Sequence, residues 1–543
     1  RIMKGVQYMH NQGKQTEHHR SAGNFNDTFK PYFAHSFKHT ENMKKLYPTL
    51  DITFDTPAFL KEDESFTTQE EMMAFLYDLV ATCDYASIEI IGQSAENREI
   101  PMVIFSTSVE GSASFQKKPT IWLQAQVHGN EPAAGESALV IAKELAQGSL
   151  KDVLEDVNVV IVPRLNPDSS YYFERNSATN LNGNRDHINL EMVELQCVHQ
   201  AFQRFQAEIV IDAHEYGAML QYKNIGNEGA VKAQDVLLLA GKNLNIPKSI
   251  REKADEWFVQ EPFKKLHEKE YSHGSYYLVS GPDEKPPVVI EGGTDAGTGR
   301  NTFALKPSFS ILVETLGIGI GRENFLRRVD GQVVTHSTII RTAAKHATEV
   351  KNIISEARES IIKGGQQGPN NDSVVIKSER KEIKNRTVEV IDIEKGEIVE
   401  IPIQYYSSSE AVPTVTRKRP TAYLLPPAFK HIAQKLETLG ARVDRLAAGI
   451  DLEVECFEVK DRSISNKGDR PLSAYTTEIK EEKRYFDKGT HVIMSAQPVA
   501  HLISLALEPE SVDSYFTYNF IPTYIGGELP VYRYMKEDTL LFQ

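Results

Sequence analysis

Three side chains in this sequence, His128, Glu131 and His214, have the types and settings needed to hold one divalent metal ion. His128 ends the apolar run Ile121-Trp122-Leu123-Gln124-Ala125-Gln126-Val127, and Gly129-Asn130-Glu131-Pro132 follows before a helix-like stretch. A tight turn at a strand end lets His128 and Glu131 converge on one point, and the short chain between them keeps the entropy of closure small. His214 ends a second apolar run, Glu208-Ile209-Val210-Ile211-Asp212-Ala213. Two imidazoles and one carboxylate at one sheet edge are the ligand set of a catalytic zinc, with the fourth tetrahedral position left for water. One Zn2+ per chain is therefore expected. Glu314 closes a third apolar run, Phe309-Ser310-Ile311-Leu312-Val313, and so reaches the same edge. A carboxylate near the cation but not bound to it can take a proton from the attacking water and pass it to a leaving amine. The His-x-x-Glu spacing recurs at His267/Glu270 and His346/Glu349, but the first lies in a run of charges and the second in a long amphipathic pattern. Both read as solvated helix faces, and the pair His18-His19 reads as part of a solvated tail.

Bringing these residues together requires strands that end at a common edge. Ile88 to Ile91, Met102 to Phe105, Ile121 to Val127, Val157 to Val162, Ile209 to Ile211 and Phe309 to Val313 read as buried strands. Gly135 to Leu145, Glu191 to Phe205 and Ser337 to Ile362 read as helices, and Thr67-Thr68-Gln69-Glu70-Glu71 opens another with a capping pattern. This alternation predicts an α/β fold with a mixed, mostly parallel sheet covered by helices on both faces. Its ligand site is expected beyond the carboxyl ends of the strands. The pattern divides the chain into an irregular N-terminal extension over 1–50, a catalytic domain over 51–363, a Gly-rich linker over 364–372 and a smaller C-terminal α/β or β-rich domain over 373–543.

Composition removes several classes of function. With 543 residues, 40% apolar and 25% charged, the chain is a folded protein rather than a disordered one. A formal charge of −14, with no dominant Lys/Arg stripe, argues against a nucleic-acid partner. No apolar run reaches the length of a membrane-spanning helix. Cys83, Cys197 and Cys456 are too few and too scattered for a disulfide framework or a cysteine zinc site, although one disulfide stays open.

Taken together, His128-Gly129-Asn130-Glu131-Pro132, Pro163-Arg164-Leu165-Asn166-Pro167-Asp168, the stretch from Arg175 to Arg185, Asp212-Ala213-His214 and Val313-Glu314-Thr315 resemble the zinc metallocarboxypeptidases related to carboxypeptidase A. The resemblance implies a hydrolase that removes C-terminal residues from a peptide or peptide-like substrate with a free carboxylate, in an extracytoplasmic or secreted setting. No signal peptide is visible in the sequence, which opens at Arg1. It further implies that Arg175 steadies the oxyanion of the scissile carbonyl while Asn184 and Arg185 hold the substrate's terminal carboxylate, chemistry suited to a guanidinium fork. Arg300, just before the Glu314 strand, is expected to face the pocket for the last side chain and to favour an acidic one; the alternative is a structural arginine bonded to loop carbonyls. Four positions depart from the family pattern. Asn182 replaces the aspartate beside the first zinc histidine, Asn180 a glycine, Ser177 an asparagine and Ser169 a glycine. Asn182 carries no charge, so the support behind His128 is expected to be weaker. A tyrosine that folds over substrate in many relatives falls in the region of Tyr271, Tyr276 and Tyr277 without being assigned among them. Two rival readings are a zinc amidase acting on cell-wall peptides or small acylated amino acids, and a non-catalytic binding protein on the same fold.

Overall fold

The computed structural model of the chain describes residues 36–63, 65–366, 372–467, 470–537 and 540. Its first strands are β1 (Ala86–Gln93), β2 (Glu99–Phe105), β3 (Thr120–Ala125), β4 (Asn158–Val162) and β5 (Ile209–Gly217). Next come β6 (Ala230–Lys232), β7 (Val236–Ala240), β8 (His273–Ser275), β9 (Tyr277–Gly281), β10 (Val288–Glu291) and β11 (Phe309–Ile318). The main helices around them are α1 (Gln69–Ala81), α2 (Pro132–Gln147), α3 (Val193–Phe205), α4 (Phe325–Lys345) and α5 (Ala347–Gln366). Eight strands form the central sheet in the order β1-β2-β4-β3-β5-β11-β7-β8. Its middle, β4, β3, β5 and β11, is parallel, and antiparallel pairings lie toward the margins. Helices cover both faces, so β3 and β4 are buried at every position, and this is why they read as unbroken apolar runs.

Alternation along these strands decides which side chains share a face. On one face Trp122 of β3 meets Phe202 of α3, with ring centroids 5.3 Å apart. On the other, Glu215 of β5 accepts hydrogen bonds from Arg328 Nε of α4 (2.8 Å) and Ala133 N of α2 (2.9 Å). Register pairs Gln124 with Asp212 and His214 with Glu314, so these four lie with Trp122 and not with Glu215.

Several elements differ from the sequence-based expectation. β3 ends at Ala125, because Gln126 adopts a left-handed conformation with φ 54° that swings the chain off the strand before His128. The helical pattern over Ser337 to Ile362 is two helices, α4 and α5, which meet at His346. α4 begins at Phe325, earlier than its apolar periodicity suggests. Its first turn instead buries Arg327 against Asp235 and Arg328 against Glu215. α1 forms with Thr68 as N-cap and Glu71 closing a capping box. Of the expected irregular extension, residues 1–35, including His18 and His19, lie outside the described residues. Residues 36–50 contain a short helix, Glu41–Lys44, whose Met43 is fully buried beside Tyr216, Tyr222 and Ile391. All three cysteines are free.

The region after 372 contributes strands to two further sheets. Of the expected linker, Gly364–Gln366 complete α5, and 367–371 lie outside the described residues. β12 (Ser373–Asp392) and β13 (Glu397–Lys418) form a long hairpin whose strands also pair with β6 and β10, giving a five-stranded sheet ordered β6-β12-β13-β10-β9. β14 (Ala422–Leu425), β15 (Asp444–Arg445), β16 (Ile450–Lys467), β17 (Arg470–Phe486), β18 (His491–Met494) and β19 (Glu528–Tyr534) make a third sheet. Tyr423, Phe457, Ile503 and Tyr515 from this region join one continuous core with Ile121 and Ile211. A sheet and a core thus both cross the position where a boundary was expected.

Candidate metal centre and active site

His128, Glu131 and His214 are buried, and each offers a ligand atom within 4.8 Å of the others; they are the one such group among the described residues. His128 Nδ1 lies 2.8 Å from Glu131 Oε1 and His214 Nδ1 lies 2.9 Å from Glu131 Oε2, so both rings present the same nitrogen to the shared point. The opposite nitrogens face oxygens, through a hydrogen bond at His128 and an ion-pair contact at His214. His128 Nε2 is 2.9 Å from Asn182 Oδ1, and His214 Nε2 is 3.0 Å from Asp212 Oδ2. A histidine held by an acceptor on its far nitrogen is fixed in the tautomer that can bind a metal. Two imidazole nitrogens and a carboxylate, buried and oriented in this way, fit zinc.

Local backbone constraints produce this geometry. Glu131 is the N-cap of α2, with Pro132 beginning the helix. Gly129 touches the backbone of Ser169 so closely that a Cβ would fall 1.9 Å from the Ser169 carbonyl carbon. Asn180 has φ 65°, a region open to glycine and tolerated by asparagine, which explains how this chain does without the family glycine there. Ser177 Oγ accepts from Leu181 N (3.1 Å) and so ties the same loop. Asp168 and Asp186 are engaged away from His128. Asp168 binds Ser94 and Arg98, and Asp186 accepts from the backbone of Glu191 and Met192.

Electrostatics separate the roles of the buried groups. Burial lowers His128 to about 4, Arg175 adds to this, and Glu131 opposes it. Glu131 is held well below the usual carboxylate range, because the charges and hydrogen bonds of His128 and His214 outweigh its burial. Glu314 is pushed the other way, up to about 8, by burial first and by Glu131; His214, Arg175 and Lys232 pull it back. Lys232 is buried among Tyr216, Tyr276 and Tyr277, donates to Tyr277 O (2.6 Å), and is itself lowered to about 8 by burial.

The other expected site residues fall into two groups. Arg175 lies beside the ligands, its Nη1 3.3 Å from His128 Nδ1 and 3.5 Å from Glu131 Oε1. Asn184 Oδ1 accepts from Gly299 N (2.8 Å), so its amide has chiefly its N–H donors left for a ligand. Arg185 is exposed, and with Arg175 and Asn182 it lines a cleft of about 760 Å³. Arg300 is buried, and its guanidinium donates to Ala240 O (3.2 Å) and Gly293 O (2.9 Å), the contacts of the structural role given as the alternative. Of the three tyrosines, Tyr271 is bonded to Asp330 and Tyr277 to Gln234, whereas Tyr276 feels the charges of Glu314, Arg175, Arg185 and Arg300.

Sequence reasoning missed Asp212, Lys232 and the far wall of the cleft. Asp212 was open to discovery, since two residues apart on a strand share a face and Asp-x-His places a carboxylate beside the ring. The far wall comes from Lys377 of β12, Arg470 and Leu472 of β17, and Asp513 and Tyr518 near the C-terminus, and no local signal marks them.

A family profile described as zinc carboxypeptidase matches residues 72–204. Carboxypeptidase 2 of Trichophyton rubrum is 30% identical over 475 residues, covering 86% of this chain and 86% of the relative. Carboxypeptidase 2 of Trichophyton tonsurans is 31% identical over 449 residues, 81% of each. Among solved structures, a metallo-carboxypeptidase from Burkholderia cenocepacia is 18% identical over 51% of this chain and 69% of its own, with a TM-score of 0.39. The chain belongs to the zinc carboxypeptidase family and is a zinc-dependent hydrolase of that family.

Proposed function

We propose that the protein removes C-terminal residues from peptides bearing a free carboxylate, with His128, Glu131 and His214 as zinc ligands. The observation that carries this reading is the convergence of those three side chains with Glu314 and Arg175 at one end of the parallel strands. Bound zinc supplies a Lewis acid that polarises the scissile carbonyl and acidifies water. Glu314 acts as the base, taking the proton of the attacking water and returning it to the leaving amine. Arg175 offers its guanidinium to the developing oxyanion. Asn184 and Arg185 hold the terminal carboxylate, the amide by its N–H donors and the arginine by its fork. Tyr276, the partly buried tyrosine within reach of these charges, covers bound substrate.

Residues 51–363 supply this chemistry, and 373–543 supply the opposite wall of the cleft. An extracytoplasmic setting follows from the resemblance, and no helix among the described residues is long and apolar enough to cross a membrane. Metal analysis combined with turnover of one peptide as its free acid and as its amide tests the reading. Stoichiometric zinc and cleavage of the free acid alone are expected. Glu314→Gln should keep the zinc and lose roughly 10³-fold or more in kcat. Equal cleavage of acid and amide would point to an amidase, and zinc without cleavage of either to a binding protein.

A further inference from the structure

The segment between β10 and the short helix Gly299–Ala304 touches the proposed carboxylate clamp directly, since Gly299 N donates to Asn184 Oδ1 at 2.8 Å. Gly299 has no room to move inward, as a Cβ there would lie 2.7 Å from Asp212 Oδ2 and 2.9 Å from His187 Nε2. What holds the loop from outside comes from the far end of the chain. Asp513 Oδ2 accepts from Ala296 N at 2.8 Å. Asp513 is 5% exposed.

The segment bearing Asp513 is firmly seated. Glu508 is fully buried and accepts from Tyr423 Oη (2.7 Å) and from Arg533. Ser511 Oγ accepts from Asp513 N (3.3 Å), and Tyr515, fully buried, donates to Ile188 O (3.2 Å), three residues past Arg185. This arm therefore grips the chain on both sides of the clamp, through Asp513 at residue 296 and through Tyr515 at residue 188.

We infer that Asp513 is a positioning residue for recognition of the substrate's terminal carboxylate. Its carboxylate fixes residues 296–299 so that Gly299 N occupies the oxygen of Asn184 and turns the amide's N–H donors, together with Arg185, to the substrate. The inference rests on the reading of Asn184 and Arg185 as that clamp. It gives the C-terminal region a part in substrate recognition, although that region supplies neither a metal ligand nor the base.

The test uses the full-length zinc-loaded enzyme, with Asp513→Ala and Asp513→Asn, and a peptide as free acid and as amide. Asp513→Ala should raise KM for the free acid roughly 10- to 100-fold, the scale on which small misplacements act, with kcat and zinc content within about twofold of wild type. The preference for acid over amide should shrink with it. Asp513→Asn keeps one acceptor oxygen for Ala296 N but loses the carboxylate's charge and second oxygen, so its KM should lie between; if Asp513→Ala fails to fold, this variant decides. Unchanged KM in Asp513→Asn, or a loss of kcat and zinc in step with a loss of thermal stability, would overturn the inference. A wild-type enzyme without preference for the free acid would instead remove the clamp reading itself.

Discussion

Asn182 stands where the family places a carboxylate, yet its Oδ1 accepts from both His128 Nε2 (2.9 Å) and Asn184 N (3.0 Å). The amide thus orients the metal histidine and leads directly into the clamp. Only the charge is missing, and a charged acceptor makes the imidazole a stronger donor to the metal. Asn182→Asp should therefore tighten zinc binding by about tenfold in chelator competition; unchanged or weaker affinity would show that charge at this site adds nothing. Lys232 supplies a second test at the same scale. As the proposed base Glu314 must be ionised, and burial raises its pKa, so kcat/KM should fall as pH drops through that pKa. The charge of Lys232 favours the ionised form and pulls the pKa down. In Lys232→Met the acid limb of the pH–rate profile should accordingly move to higher pH by roughly 0.5–1 unit. A limb that stays in place would mean that Lys232 does not set the base's ionisation.

At the scale of elements, the turn from β3 into α2 carries the tightest constraint. Gln126 in the left-handed region, Gly129 against the Ser169 backbone and Pro132 opening α2 together bring His128 and Glu131 onto one point. Neither the backbone of Ser169 nor its neighbours can yield, because Ser169 N and Oγ are both bonded to Asn166. Gly129→Ala should destabilise the fold by about 3 kcal/mol or more and deplete bound zinc, as read by thermal unfolding and metal analysis. A variant that melts normally and binds zinc would show that this contact is looser than it stands.

For the whole molecule, the hairpin β12–β13 is flanked by β6 and β10, and Glu291 at the end of β10 accepts from Ser407, Ser408 and Ser409 of β13. Removing the region after Gln366 would leave β6 and β10 without these partners and uncover the core shared with Tyr423, Phe457 and Tyr515. A chain ending at Gln366 is expected to be insoluble or to lack a cooperative melting transition. A soluble, zinc-binding fragment with peptidase activity would establish the separate domains that composition suggested.

The sequence by itself determined the metal ligands' neighbourhood and the strands that lead to it. His128, His214 and Glu314 each close an apolar run, and an apolar run buried on both faces is a local property. The same holds for the Thr68 cap and for the spacing from Arg175 to Arg185. Only tertiary structure decided the rest. Whether Arg300 meets substrate or carbonyls depends on Ala240 and Gly293, and which tyrosine faces Glu314 depends on the packing of β7, β9 and β10. Asp513, on the far wall of the cleft, lies 217 residues from Ala296, whose N–H it accepts. Contacts of that separation leave no periodicity or spacing in the chain, because they follow from how finished sheets pack and not from how any one segment folds.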